Sequence, residues 1–515
     1  MGRTVLVLGD QLSTDLGALA DADPGRDRIV MVESWAKLAQ RPWHRQKLHL
    51  VLGAMRRFAE ELRGEGFVVD LRRAPTLRAG LDDAGVDPDH LVATAPSTWD
   101  LRHALARWGV AQVASGGFLV GEEAFARWAR GRRSLGLEAF YRGVRREHGW
   151  LLEPGGEPAG GQWNHDHANR QPPPRGGVSP PAPWQPQEDE IDEAVRADLD
   201  RWEHEGHLAL WGEDRPRTFA ASRSEARAAL ADFVAHRLPG FGPLEDAVVA
   251  EEPVLWHAQL SGPLNLGLLH PREACDAVDR AWQRETDPER IGSYEGFLRQ
   301  VAGWREYVWG LYWWRMPQWR HDDHLGHRGP VPAAYWDGDT DLRCVAASVA
   351  DLAERAWLHH IPRLMILGNH ALLAGVSPQA LTDWFHATFA DAYEWVMLPN
   401  VVGMSQWADG GVMATKPYAA SANYINRMTT YCRGCRYDPK QRTGEDACPF
   451  NALYWDFLAR HRPALADNPR TRQILRHLDR FSEEERAAIH ARARRFRTDV
   501  DPEGVDPDGV APDAG

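Results

Sequence analysis

Two periods of hydrophobicity divide the chain. In its first part, short apolar runs recur at 4–9 (TVLVLG), 28–33 (RIVMVE), 67–71 (FVVDL), 90–93 (HLVA) and 117–120 (GFLV). Each run has the length of a strand. Between them, as in 46–63 (QKLHLVLGAMRRFAEELR), apolar residues return at the spacing of one helix face. Strands alternating with helices predict a parallel sheet covered on both faces. Residues 1–135 are therefore expected to form a doubly wound α/β domain.

The pattern breaks at 151–190, which is dominated by Gly and Pro and predicts a connector without regular structure. The whole of 136–221 reads as an interdomain linker. Beyond it the strand signals fade and helical spacing takes over, at 222–237, 271–283, 294–314, 341–356, 376–396, 450–461, 468–478 and 482–497. The fold class expected is α/β plus all-α, with a large helical domain over 222–497. Residues 498–515 are acidic, lack basic side chains and are broken by Pro and Gly, which predicts a disordered tail.

Composition narrows the function. The 515 residues are 43% hydrophobic and 26% charged, ordinary globular values. The net charge of −13 excludes a generally basic nucleic-acid coat. A local basic patch stays open, because phosphates respond to the nearby field. No apolar run is long enough to predict a membrane span. Five cysteines are too few for a disulfide scaffold, and with no signal-peptide pattern they point to a reducing cytoplasm. The 23 Trp outnumber 15 Phe and 11 Tyr.

The chemistry-bearing residues lie mostly in the helical half. Cys432 and Cys435 form a C-x2-C turn through Gly434, Cys448 precedes Pro449, and Cys344 lies far upstream. Together they can supply four thiolates. Their spacing leaves an iron–sulfur cluster, zinc and unmetallated thiols all open. Cys275 stands alone and reads as a buried small residue. The helix around 304–319 is aromatic on more than one face, so Arg305 and Glu306 are held among Trp304, Tyr307, Trp309 and their neighbours. Residues 256–269 (WHAQLSGPLNLGLL) place Ser261 and Asn265 at a helix start, which suits an anion. His359 and His360 are adjacent on a predicted helix and point about 100° apart, so only one faces a given site. The NHDH run at 164–167 reads as plain surface. Tyr418 and Tyr424 are interleaved with Lys416 and Arg427, a mixture suited to an unstacked base.

Eight segments together carry a family likeness: LGDQLS, GGQWN, HRLPGFGP, LNLGLL, HHIPRLMILGN, DAYEWVMLPNVVGMSQWADGG, KPYAASANYINRM and YCRGCRYDPKQRTGEDACPFNALYWDF. The chain resembles the iron–sulfur bacterial cryptochromes and photolyases, the prokaryotic (6-4) photolyase-like branch, over about residues 1–495. This resemblance implies a [4Fe–4S] cluster on Cys344, Cys432, Cys435 and Cys448. It implies FAD in the helical domain, beside Leu264, Asn265, Leu266, Gly267, Trp304, Arg305 and Glu306. Asp391, Glu394 and Asn400 fall in the segment running along the flavin ring. An antenna, 6,7-dimethyl-8-ribityllumazine in this branch, is implied in the α/β domain near Asp10 and Gln11, with Glu33 a further candidate. His360 would exchange a proton with the lesion, in a pocket lined by Leu364, Met404, Tyr418 and Tyr424. Trp384 and Trp336 would relay electrons to the flavin.

Three positions depart from the pattern: Phe385 where Tyr is expected, His370 for an aromatic, and Trp407 for Tyr. Phe385 is harder to oxidise and bears on the relay. The activity implied is light-driven repair of (6-4) pyrimidine–pyrimidone photoproducts in damaged DNA by a monomeric enzyme. The same cofactors would also serve a blue-light photoreceptor.

Overall fold

The computed structural model describes residues 2–498. Five parallel strands form the N-terminal sheet: β1 (Thr4–Leu6), β2 (Arg28–Ser34), β4 (Val68–Ala74), β5 (Leu91–Thr94) and β6 (Ala111–Val113). Their order is β4-β2-β1-β5-β6. The chain therefore winds outward from β1 in both directions and leaves a crevice at the carboxyl ends of β1 and β5. Sheets of this type bind ligands there. The helix Arg45–Gly64 packs its apolar face, including Leu50, Met55, Phe58 and Leu62, into the core below.

One expected strand is absent. Residues 117–120 form a loop, and the fifth strand is the less apolar Ala111–Val113. The loop leaves the sheet to meet the helical domain. Phe118 stacks on Trp309 at 3.7 Å, while the Leu119 and Val120 amides donate to Glu306 at 2.7 and 3.0 Å.

The expected linker contains two helices, Leu137–His148 and Glu190–His204. Between them, 149–189 has one short 3-10 helix, Ala159–Gly161, among turns and coil, yet buries Trp150, Leu151 and Asn169. Asp189 caps the second helix, and buried Asp192 accepts from His49 at 2.8 Å and Arg217 at 3.2 Å. This pins the connector to the first domain. The linker also supplies β7 (Ala209–Trp211), which pairs in parallel with β3 (Pro42–His44).

The helical domain follows the predicted order with one recurrent difference. Several expected helices run into π-helical turns: Phe233–Arg237, Arg299–Arg305, Pro362–Gly368 and Pro399–Ser405. Such turns re-aim side chains and gather at functional sites. The expected helix over 376–396 is broken into Pro378–Thr388 and Glu394–Leu398. The predicted helix carrying both histidines begins only at His360. Cys275 is fully buried, as expected of a small core residue. Apart from Thr498, the expected acidic tail lies outside the described residues.

The domains share one core. Gly310 lies so close to Phe125 that a Cβ there would meet its ring at 2.0 Å. Glu306 is fully buried and binds Arg305 at 2.8 Å as well as the two loop amides. Removing one partner of such a pair costs about 3–5 kcal/mol. Glu306→Ala is thus expected to lose about that much stability, read as an earlier denaturant midpoint with unchanged slope.

Candidate active site

Three sites and a chain of indoles occupy the structure. The first site is the crevice between the domains, a cleft open to solvent. Asp10, Gln11, Thr94 and Ser97 line its sheet side; Leu264, Asn265, Gly267, Arg305, Trp309 and Trp395 line its helical side. Gln11 donates to the Thr94 and Ala95 carbonyls at 3.2 Å, which leaves its buried Oε1 without a partner. Burial raises the Asp10 pKa despite a bond from Ser97. Gly267 adopts φ +84° where the backbones touch, and the Leu266 carbonyl accepts from Leu12 at 2.9 Å. Glu33 does not reach this cavity. Both its oxygens bind Arg56, at 2.8 and 2.9 Å, with Arg73 alongside. Glu306 is likewise consumed by its three donors, and Trp304 is half-buried with its ring edge toward Tyr307.

The second site is built on strained backbone. Leu255 and Gln259 both hold positive φ, 50° and 53°, a conformation side chains rarely adopt. These turns place His257 in the interior, stacked on His359 at 4.5 Å. Nearby Arg237 is buried, with Nε and Nη2 lacking any acceptor. Burial lowers its pKa to about 10, only partly opposed by Asp232. A buried guanidinium without acceptors is costly, and an anionic ligand would relieve it. Beyond it, Arg363 grips Asp391 with two bonds of 2.9 Å. Asp391 also accepts from Ser261 at 2.7 Å, and its carbonyl accepts from Asn265 at 2.8 Å. Asn400 donates to Val396 at 2.7 Å, and Glu394 accepts from Tyr312 at 3.1 Å and from Arg320. Glu394 therefore belongs to the rim, apart from the Asp391 pair.

His360 lies at the mouth of this site. Its side chain is 44% exposed, and its Nε2 meets Asp246 at 2.9 Å. Burial opposes its charge, but the Asp246 bond and charge, with Glu245 behind, outweigh burial and raise the His360 pKa. The buried neighbour His359 goes the other way and stays neutral, driven first by burial. Adjacent histidines thus divide into a core ring whose pKa falls and an exposed one whose pKa rises. Tyr418 and Tyr424 are half-buried, and burial together with the Asp246 charge raises both their pKa values. Leu364 and Met404 are half-buried on two of the π-turns. The NHDH run is not plain surface. His165 and Asp166 are half-buried; the field of Arg170 reaches both tyrosines and that of Asp166 reaches Tyr418.

An indole path leads outward. Trp384 is 2% exposed and meets Trp336 edge-on at 6.4 Å. Phe385 packs on Trp384 at 5.1 Å but does not intervene in that contact. On its other side, Trp384 meets Phe389 at 6.1 Å, and Arg363 covers Phe389 at 4.3 Å.

The third site gathers Cys344, Cys432, Cys435 and Cys448 around one small cavity. Cys448 begins the helix Pro449–Arg460, and Cys344 lies in the first turn of Arg343–Arg355. Gly434 takes φ +80° in the turn between Cys432 and Cys435. Burial pushes Cys432 up to about 11 and Cys448 up to about 12, and neighbouring thiols add to the cost. A thiolate-binding cation would remove that cost. Among the described residues, no three of these sulfurs lie within 4.8 Å of one another. A single tetrahedral metal at about 2.3 Å from each sulfur needs a tighter set.

A model of the deoxyribodipyrimidine photo-lyase-related protein family matches residues 5–209. A (6-4) photolyase of Agrobacterium fabrum is 42% identical over 521 residues, covering 97% of this chain and 100% of that protein. The chain belongs to the photolyase family. A crystal structure of a bacterial class III photolyase from Agrobacterium tumefaciens shares the fold, with a TM-score of 0.54 over 96% of both chains at 15% identity. An uncharacterized protein of Acanthamoeba polyphaga mimivirus is 40% identical over 94 residues, 18% of this chain and 69% of its own.

Sequence reasoning missed Arg237, Asp246, His257 and Arg363 in this photolyase. Arg237 and Arg363 were legible as lone cations inside the apolar segments HRLPGFGP and HHIPRLMILGN. Asp246 carried no signal, since only folding sets it against His360.

The His360–Asp246 pair makes a titration testable. With its pKa raised, His360 keeps its proton above the usual pH of about 6.5 and loses it as pH rises further. In Asp246→Asn, the ring is expected to titrate at lower pH, followed by the His Cε1–H NMR shift. An unmoved titration would dismiss Asp246 as the cause.

Proposed function

We propose that this chain repairs (6-4) pyrimidine–pyrimidone photoproducts in DNA, using light. The observation that carries this reading is His360, open to solvent on one side and ion-paired to Asp246 on the other. The full-length likeness to a (6-4) photolyase supports it. When bound, reduced FAD excited by light supplies the electron that opens the lesion and accepts it back. His360 holds a proton at the pocket mouth, gives it to the migrating group and recovers it afterwards. Leu364, Met404, Tyr418 and Tyr424 receive the flipped-out bases on apolar and aromatic surface. Exposed Lys416 and Arg427 flank them and suit the DNA phosphates, with exposed Arg433 further along. Arg436 is already paired with Asp341 and contributes less.

The chain's residues fit the flavin. The orphaned Arg237 guanidinium suits its diphosphate, and the Arg363–Asp391 pair gives a fixed dipole for its ring edge. Asn400 follows on the same segment. The crevice cavity suits the antenna, 6,7-dimethyl-8-ribityllumazine: Phe118, Trp309 and Trp395 offer ring contacts, while Gln11 Oε1 and Asn265 offer polar ones. Leu264, Leu266, Gly267 and Arg305 form the wall between the two chromophores. The spacing of the four thiols favours a polynuclear [4Fe–4S] cluster over zinc. That cluster would tie the Cys344 helix to the 432–448 loop, with the enzyme at work in the cytoplasm beside its DNA.

The decisive experiment uses an oligonucleotide with one (6-4) lesion and chemically reduced protein. Thymines are expected to return under blue light and not in darkness. No return, with flavin absorbance intact, would overturn repair and favour a photoreceptor. His360→Ala is expected to keep its flavin and lose at least about 100-fold in repair rate. Cys435→Ser is expected to yield protein lacking iron and sulfide and largely insoluble. Soluble, iron-loaded variant protein, or zinc in the parent, would overturn the cluster assignment.

A further inference from the structure

We propose that Trp211, on the linker strand, is the solvent-side end of the electron relay. This rests on the photolyase reading above. Trp211 meets Trp336 edge-on at 5.9 Å, and its Nε1–H donates to the Trp336 carbonyl at 2.7 Å. Trp336 in turn meets Trp384 at 6.4 Å. The three indoles thus form an unbroken file from the core to a half-buried edge. Its outer end belongs to neither globular domain. It is carried by β7, whose pairing with β3 sets Trp211 opposite His44.

The surroundings favour outward movement of positive charge. The Trp384 N–H is buried and has no hydrogen-bond partner among the described residues, so no side chain there takes a proton from an oxidised Trp384. Its charge persists until an electron arrives from Trp336. Exposed Asp337 and Asp339 follow Trp336 and favour a cation there, whereas Glu213 and Asp214, after Trp211, are already paired with Arg215 and Arg196. His44, edge-on to Trp211 at 5.2 Å, adds no opposing charge. Burial holds its pKa down at about 4. Tyr335 is nearer to Trp384, at 4.9 Å, but it is fully buried and its hydroxyl is bound to the Leu367 carbonyl at 2.6 Å. It offers no exit to solvent.

The electron count closes with a dissolved thiol as reductant. Trp384 gives one electron inward and is refilled by Trp336, Trp336 by Trp211, and Trp211 by the thiol. For every two electrons delivered, two thiols become one disulfide and release two protons. No bond within the protein is made or broken.

The test compares the full-length, flavin-loaded parent with Trp211→Phe, Trp211→Tyr, Trp336→Phe and Tyr335→Phe. Two readouts are needed: the lifetime of the indole radical after a laser flash, and the rate of thiol-driven flavin photoreduction under steady light. Trp211→Phe is expected to form the radical but shorten its life several-fold, and to slow photoreduction as far as Trp336→Phe does. Trp211→Tyr, with an oxidisable ring, is expected to restore part of both. A merely structural role would not shorten the radical while sparing its initial yield. Photoreduction at the parental rate in Trp211→Phe would overturn the proposal. So would a loss in Tyr335→Phe that Trp211→Phe does not show. Repair by dithionite-reduced parent protein bypasses the relay. If that fails, the photolyase reading falls while the relay measurement stands.

Discussion

Glu306 has no contact with water, and its charge must be met by the protein. It sits on the aromatic helix of the second domain, but two of its three donors are amides of the first. The loop 117–120 therefore cannot stay in the sheet without taking two of three donors from a buried carboxylate. That constraint draws Phe118 onto Trp309 and closes the domains over the crevice. The crevice cavity, the Gly267 contact and the wall at Leu264 all follow from this junction. Fusing two domains through a buried charge is rigid, because any slippage exposes an unpaired ion to low dielectric.

The same logic explains where ligands fit. The protein satisfies Asp391, Asp192 and Glu33 with its own arginines, and those residues act as struts. Among the described residues it leaves Arg237 Nε and Nη2 and Gln11 Oε1 without partners, and burial weighs against charge on Cys432 and Cys448. Buried polar groups without partners are expensive. Gln11 lines the crevice cavity and the four cysteines line a second, both shaped for something other than side chains. Strained turns at Leu255 and Gln259 and the π-turns supply the aim. Backbone strain is tolerated there because the surrounding core fixes it.

Much of the fold was legible. Short apolar runs and helical apolar spacing are local properties, so β1, β2, β4 and β5 and most helices could be read directly. The failures were local signals overridden by distant partners. Residues 117–120 are apolar enough for a strand, but Glu306, nearly 190 residues away, takes their amides. Ala111–Val113 is a poor strand by composition and is recruited by the edge of β5. The linker's Gly and Pro excluded long elements between 149 and 189, yet they did not reveal that its aromatic and polar residues are buried.

The site divides in the same way. The sequence alone determined the residue types and their local spacing: the cysteine set, the His359–His360 alternation, the Trp-rich helix and the segments that carry the family likeness. These depend on covalent neighbours and helical geometry. The family likeness singled out His360, but only the tertiary structure supplied its partner, because Asp246 reaches it from a separate segment. It also decided that Glu33 and Glu306 are struts, that Arg237 lacks an acceptor, and that Trp211 completes a file of indoles. Charge, burial and ring contact are properties of pairs brought together in space, and no spacing along a chain encodes which pairs will meet.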